Sequence, residues 1–146
     1  MKKLLFLFIL ILSAKGLSAQ SDGPVVKQES DPDAPFISFQ EWTVDFKSVA
    51  AGSEQVRTFT FTNTGKSPLV ITAIQGQCGC TTILPESWSK DPIPPGGTAS
   101  FKVKYDTSRI GMFDKKIKVY CNASNATNGF VEVKILGNVM QETPGN

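Results

Sequence analysis

Histidine is absent from all 146 residues. That absence removes Ser-His-Asp and Cys-His nucleophilic catalysis, His-bearing zinc sites and most His-based pH switches. Cysteine is scarce. The three present allow one internal bridge with one thiol left over, and they fall short of the four ligands of a structural zinc site. No apolar run is long: the longest, Leu4–Leu12, has nine residues, against the roughly 20 that a membrane-spanning helix needs. No window carries a helical stripe of apolar residues, and no paired-carboxylate or cofactor-binding motif is present. We therefore expect no catalytic residues, no bound cofactor and no metal ligand set.

The nine-residue run follows Lys2 and Lys3 and precedes small residues ending in Leu17-Ser18-Ala19. A positive start, a short greasy stretch and a small-residue site predict an export signal over residues 1–19. No cysteine stands near that site to carry a lipid anchor, so the expectation is a periplasmic, cell-surface or extracellular protein with no membrane span in its mature form. Cleavage would remove Lys2, Lys3 and Lys15 and leave 12 basic against 13 acidic side chains. A near-neutral chain offers no electrostatic footprint for nucleic acid. Residues 20–35 hold four acidic residues and three prolines with little apolar content, which predicts a flexible leader. Residues 141–146 read as a short tail.

Between them, over 36–140, the side-chain period is two. Phe59 and Phe61 alternate with Thr58, Thr60 and Thr62. Ala99, Phe101, Val103 and Tyr105 alternate with Ser100, Lys102 and Lys104. Phe113, Ile117, Val119 and Cys121 share a face opposite Asp114, Lys116, Lys118 and Tyr120, and Val131, Val133, Ile135 and Val139 repeat the pattern. One apolar and one wet face per strand is the mark of antiparallel sheets packed face to face. Turn residues punctuate the runs, at Asn63–Pro68, Pro94–Gly97, Ser108–Gly111 and Asn125–Gly129. About seven short strands in roughly 105 residues predict an all-β, immunoglobulin-like antiparallel sandwich.

Several residues are candidates for function. Cys78-Gly79-Cys80 opens a loop after a predicted strand. A Cys78–Cys80 bridge closes three residues and contributes about 1.6 kcal/mol, whereas a bridge from either to Cys121 closes over forty and contributes about 4 kcal/mol. A structural staple would use Cys121; a readily reduced pair would use Cys78 and Cys80. By alternation Cys121 also reads as a small buried core residue. For Cys78 and Cys80, a structural pair, a thiol-exchange site and a soft-metal site all remain open. Trp88 is an aromatic plug over one end of the sandwich or an anchor for a partner, and Trp42 reads as core. Lys102, Lys104, Lys116 and Lys118 face outward on consecutive strands; if those strands pair, they form a basic patch for an acidic partner or anionic glycan. The two Asn-x-Ser/Thr triplets at Asn122 and Asn125 read as turn residues.

A set of ordered fragments runs through the folded unit: Phe59-Thr60-Phe61-Thr62-Asn63-Thr64-Gly65, Pro68-Leu69-Val70-Ile71, Cys78-Gly79-Cys80-Thr81, Trp88, Ile93-Pro94-Pro95-Gly96, Tyr105-Asp106, Gly111-Met112-Phe113 with Lys115, Val119-Tyr120-Cys121-Asn122 and Gly137-Asn138-Val139. In order and spacing the chain resembles a family of small secreted bacterial proteins, domain of unknown function 1573. The resemblance implies kinship with immunoglobulin-like domains of the ciliary, sperm-protein and pilus-chaperone type, hence an interaction module. With the small sandwich, the missing histidine, the flexible leader and the lack of paired carboxylates, the expectation is a non-enzymatic module that binds a protein or glycan partner. Thiol redox or soft-metal handling through Cys78 and Cys80 is the alternative. Cys121 departs from the family, which usually carries Ser there, so the resemblance implies no role for it.

Overall fold

Alternating strands need a second apolar face to cover the first, and the computed structural model, which describes residues 31–141, shows how they find it. Its strands are β1 (Ile37–Phe39), β2 (Thr43–Ala50), β3 (Gln55–Asn63), β4 (Ile71–Gly76), β5 (Thr81–Ile83), β6 (Thr98–Tyr105), β7 (Gly111–Cys121) and β8 (Phe130–Met140). A 3-10 turn, Pro85–Ser87, is the one helical element among the described residues. One sheet runs β1-β3-β6-β5 and the other β2-β8-β7-β4. Between them lie Phe59, Phe61, Phe101 and Val103 from the first sheet and Ile117, Val119, Val133 and Ile135 from the second, all shut away from solvent. Phe59 stacks on Phe101 with ring centroids 5.1 Å apart, and Phe39 meets both edge-on. The expected immunoglobulin-like sandwich is the architecture found.

Three features differ from the sequence reading. An eighth strand, β5, occupies a stretch read as loop; three residues are too few for alternation to show, and pairing with β6 (Thr81 opposite Tyr105) makes the strand. The sandwich is also mixed rather than wholly antiparallel. β2 runs parallel to β8, with Thr43 opposite Lys134 and Ala50 opposite Met140, because the chain enters and leaves this sheet in the same direction. Trp42, expected in the core, is 43 % exposed. It shares the parity of the inward-facing Val44 and Phe46 but precedes the strand, and it lies against Phe39 at the rim (centroids 5.0 Å).

The domain also begins earlier than the leader reading placed it. Pro35 is buried, the Ser124 amide donates to its carbonyl (2.8 Å), and the Lys66 amide donates to the Ala34 carbonyl (3.4 Å). Gly65 makes this possible, since a Cβ there would fall 2.4 Å from both the Ala34 carbonyl oxygen and the Phe36 nitrogen. The expected export signal, leader residues 20–30 and tail residues 142–146 lie outside the described residues.

Asn63 ends β3 with 0 % exposure. Its Nδ2 donates to the carbonyls of Ser67 (2.8 Å) and Ile93 (2.9 Å), while its Oδ1 accepts from the amides of Gly65 (3.0 Å) and Phe36 (3.4 Å). The Gly96 amide donates to the Asn63 carbonyl (2.7 Å). One buried amide thus joins the docked N-terminal stretch, the 63–68 turn and the 93–97 turn.

Candidate functional site

The Cys-Gly-Cys turn carries the chain from β4 in one sheet to β5 in the other. Gly76 closes the end of β4 so tightly that an added Cβ would lie 2.4 Å from the Thr81 carbonyl oxygen. Cys78 and Cys80 form a disulfide, with Cα atoms 5.2 Å apart. The turn is fixed on both sides: the Thr81 amide donates to the Cys78 carbonyl (3.1 Å) and the Asp106 amide to the Cys80 carbonyl (2.9 Å). Cys80 is 3 % exposed, Cys78 is half-buried and Gly79 is exposed. The side chain of Thr81, itself only 5 % exposed, places its hydroxyl 3.9 Å from the sulfur of Cys78 and 3.9 Å from that of Cys80.

Cys121 is not within reach of either. It stands opposite Ile71 while Gly76 stands opposite Ile117, five residues along β4 and about 17 Å away at strand rise. It is the free, buried thiol that alternation placed on the inner face. Burial pushes its pKa above the ordinary thiol value, partly offset by a backbone hydrogen bond at Ala123. Two outcomes follow. Native protein at pH 8 leaves one thiol unmodified by a maleimide until denaturant is added; prompt native labelling at Cys121 would contradict its burial. Because the fold favours the neutral thiol, the associated stability is intact below the unfolded pKa and is lost as pH rises through the folded one. Among the described residues, no three Cys, Asp or Glu side chains are grouped to hold a metal ion.

The four lysines do not form one patch. Their strands, β6 and β7, are consecutive in the chain but belong to opposite sheets, because the intervening turn crosses the sandwich rather than making a hairpin. Buried Thr107 anchors that crossing, its carbonyl accepting from the Gly52 amide (3.1 Å). Lys102 and Lys104 face outward on one side, with Lys104 on Glu54 (2.6 Å). Lys116 and Lys118 line the other, in a groove of about 370 Å³ with Gln75, Gln77, Tyr120 and Glu132. Lys116 pairs with Glu132 (3.0 Å), whereas the Lys118 ammonium sits over the Phe130 ring, 4.4 Å from its centroid. Trp88 is half-buried and packs on the core, the arrangement of a plug. Asn122 and Asn125 are turn residues that bond to β4's entry and to β1.

The sheet edges are unequal, a feature that a single-strand pattern does not show. On β1, Asn125 imitates a neighbouring strand: its Oδ1 accepts from the Ile37 amide (3.1 Å) and its Nδ2 donates to the Ile37 carbonyl (2.9 Å). On β2 a bulge interrupts the edge between Asp45 and Ser48, where Lys47 adopts φ 61° and its ammonium meets the Asp45 carboxylate (2.8 Å). β5 is three residues long, bracketed by the disulfide turn and the 3-10 turn. β4 has no such guard along Ile71–Gly76, although the chain that enters it is capped at Leu69, which exchanges main-chain hydrogen bonds with Ile93 (2.9 and 2.8 Å). The sequence of β4, Ile71-Thr72-Ala73-Ile74-Gln75-Gly76, contains no charge and no proline, the devices that usually blunt an edge. The Gln77 amide donates to the Lys116 carbonyl (3.0 Å), and Gln75 lies opposite Lys118. Alternation along an antiparallel pair therefore turns the N–H and C=O of Ile74 away from β7, to a side where no strand pairs among the described residues.

One antiparallel and one mixed sheet with these strand orders define an immunoglobulin-like sandwich, and the comparisons agree. The chain is similar to a protein of unknown function from Porphyromonas gingivalis W83 (14 % identity, TM-score 0.64, covering 78 % of this chain and 51 % of that one). It is also similar to the ASH/PapD-like domain 7 of human CEP192 (10 %, 0.62, 85 % and 99 %) and to the VesB protease of Vibrio cholerae (15 %, 0.58, 70 % and 32 %). It spans about half the length of the Porphyromonas protein and about a third of VesB, and at these identities the likeness concerns fold alone. No curated protein matches. The profile of "Protein of unknown function (DUF1573)" covers residues 37–139, and the chain belongs to that family.

Proposed function

We propose that this chain is an exported, non-enzymatic interaction module that takes up an extended segment of a protein partner along the outer edge of β4. The observation that carries the reading is the contrast among the four edges: three are guarded by a side chain, a charged bulge or brevity, and β4 is left open. Strand addition supplies affinity through main-chain hydrogen bonds and specificity through alternate side chains. The neighbouring groove favours an acid-bearing segment, since among the described residues Lys118 faces it without a carboxylate partner. Likeness to a PapD-like domain supports a binding role, the N-terminal charge-and-apolar pattern supports export, and a bridged Cys78–Cys80 fits an oxidising compartment.

A photoreactive side chain at Thr72, which is exposed at this edge, tests the reading. In producing cells it is expected to yield a discrete protein adduct, lost in Ile74→Pro, which removes the outward-facing amide together with a buried side chain, while the variant keeps its β-sheet circular dichroism; the same group at Met112 yields none. Equal adducts at both positions, or none at Thr72, would overturn it. Cell fractionation checks the export component separately: the mature chain is expected outside the cytoplasm.

A further inference from the structure

We infer that the Cys78–Cys80 bridge is a thiol–disulfide exchange site that accepts two electrons from a dithiol, with Cys78 as the attacked sulfur and Thr81 as the group that steadies the departing one. Three observations converge on it. The two cysteines are enclosed unequally: Cys78 packs on the rim of the core and is half-buried beside an exposed Gly79, whereas Cys80 is only 3 % exposed. Nothing stands within 4 Å of where a Cβ on Gly79 would be, so the outer side of the turn is open to a second thiol. Thr81 is buried, and its hydroxyl has the two sulfurs as its hydrogen-bond partners among the described residues, at 3.9 Å each.

The chemistry balances as follows. A thiolate of the incoming dithiol attacks Cys78 Sγ; the Cys78–Cys80 bond breaks and Cys80 leaves as a thiolate, accepting a hydrogen bond from the Thr81 hydroxyl. The dithiol's second thiolate then attacks its own sulfur in the mixed disulfide and releases Cys78 as a thiolate. The dithiol ends as a disulfide, and the bridge ends as two thiols carrying the two protons lost by the dithiol. Attack follows access, and departure is faster the better the leaving thiolate is stabilised. Because the bridge closes only three residues, the unfolded chain gains little freedom when it opens, and the sandwich survives the reaction. Cys121, at the far end of β7, takes no part.

The experiment uses the mature chain in glutathione and dithiothreitol buffers of graded poise, quenched with acid and tagged by mass. The bridge is expected to open without denaturant while the β-sheet circular dichroism persists and Cys121 stays untagged. In Cys80→Ser, the Cys78 thiolate attacks oxidised glutathione, forming a mixed disulfide and releasing one reduced glutathione, on the order of tenfold faster than Cys80 does in Cys78→Ser, following exposure. Thr81→Val slows reduction roughly tenfold and raises the thiolate pKa of the reduced pair, as loss of a hydrogen bond to a charged sulfur requires; Thr81→Ser restores both. A bridge that yields only on unfolding, equal reactivity of the two sulfurs, or a Thr81→Val protein with unchanged rate and pKa would overturn the assignment.

Discussion

Replacing Asn63 by alanine is expected to lower the unfolding free energy by about 3 kcal/mol or more, since each buried group left without its partner costs about 1–3 kcal/mol. Four side-chain hydrogen bonds disappear together: the Ser67 carbonyl and the Gly65 and Phe36 amides lose the partner that Asn63 supplies, and the Ile93 carbonyl keeps only the Leu69 amide. Asn63→Asp is a sharper comparison. It keeps the shape but turns an oxygen toward those two carbonyls, so it should be at least as damaging as alanine. Urea unfolding of both variants checks this, and a loss below about 1 kcal/mol for either would mean that the turn 63–68 holds without its buried amide.

Phe101→Ala should cost about 3–5 kcal/mol, the range for emptying an aromatic side chain from a packed core. The residue has no solvent exposure, and its ring stacks on Phe59 and meets Phe39 edge-on. Domains of this size are stable by roughly 5–15 kcal/mol, so much of the margin would go. Chemical denaturation would register the loss, with Met112→Ala as the control: that side chain is 87 % exposed and its truncation should change stability by less than about 0.5 kcal/mol. A Phe101→Ala loss as small as the control's would show that the rings repack around the void.

The same two residues mark where the sequence is legible. Phe101 alternates with Lys102 and Lys104, so its inward side could be read from period two, as could those of Phe59, Val119 and Cys121. Asn63 is chemically a turn residue, and it does end a strand; nothing local says that its amide is enclosed by a turn 30 residues away. Alternation also assigns a face without assigning a sheet. Period two turns Lys102 and Lys116 outward, and both are exposed, yet the crossing between β6 and β7 sends them to opposite sides. The candidate site divides likewise. The Cys-Gly-Cys turn was visible as a motif, and its location after a strand could be read. The sheet position of Thr81, the enclosure of Cys80 and the open side of β4 depend on how distant strands come together.

The parallel seam between β2 and β8 has a consequence for how the protein reaches its folded state. Thr43 lies beside Lys134 and Ala50 beside Met140, so β2, the outer member of its sheet, has no neighbour in that sheet until β8 has been made. Contacts so far apart in the chain make folding slow. Closure of that seam therefore ties completion of the whole sandwich to the strand pair whose members lie farthest apart in the chain.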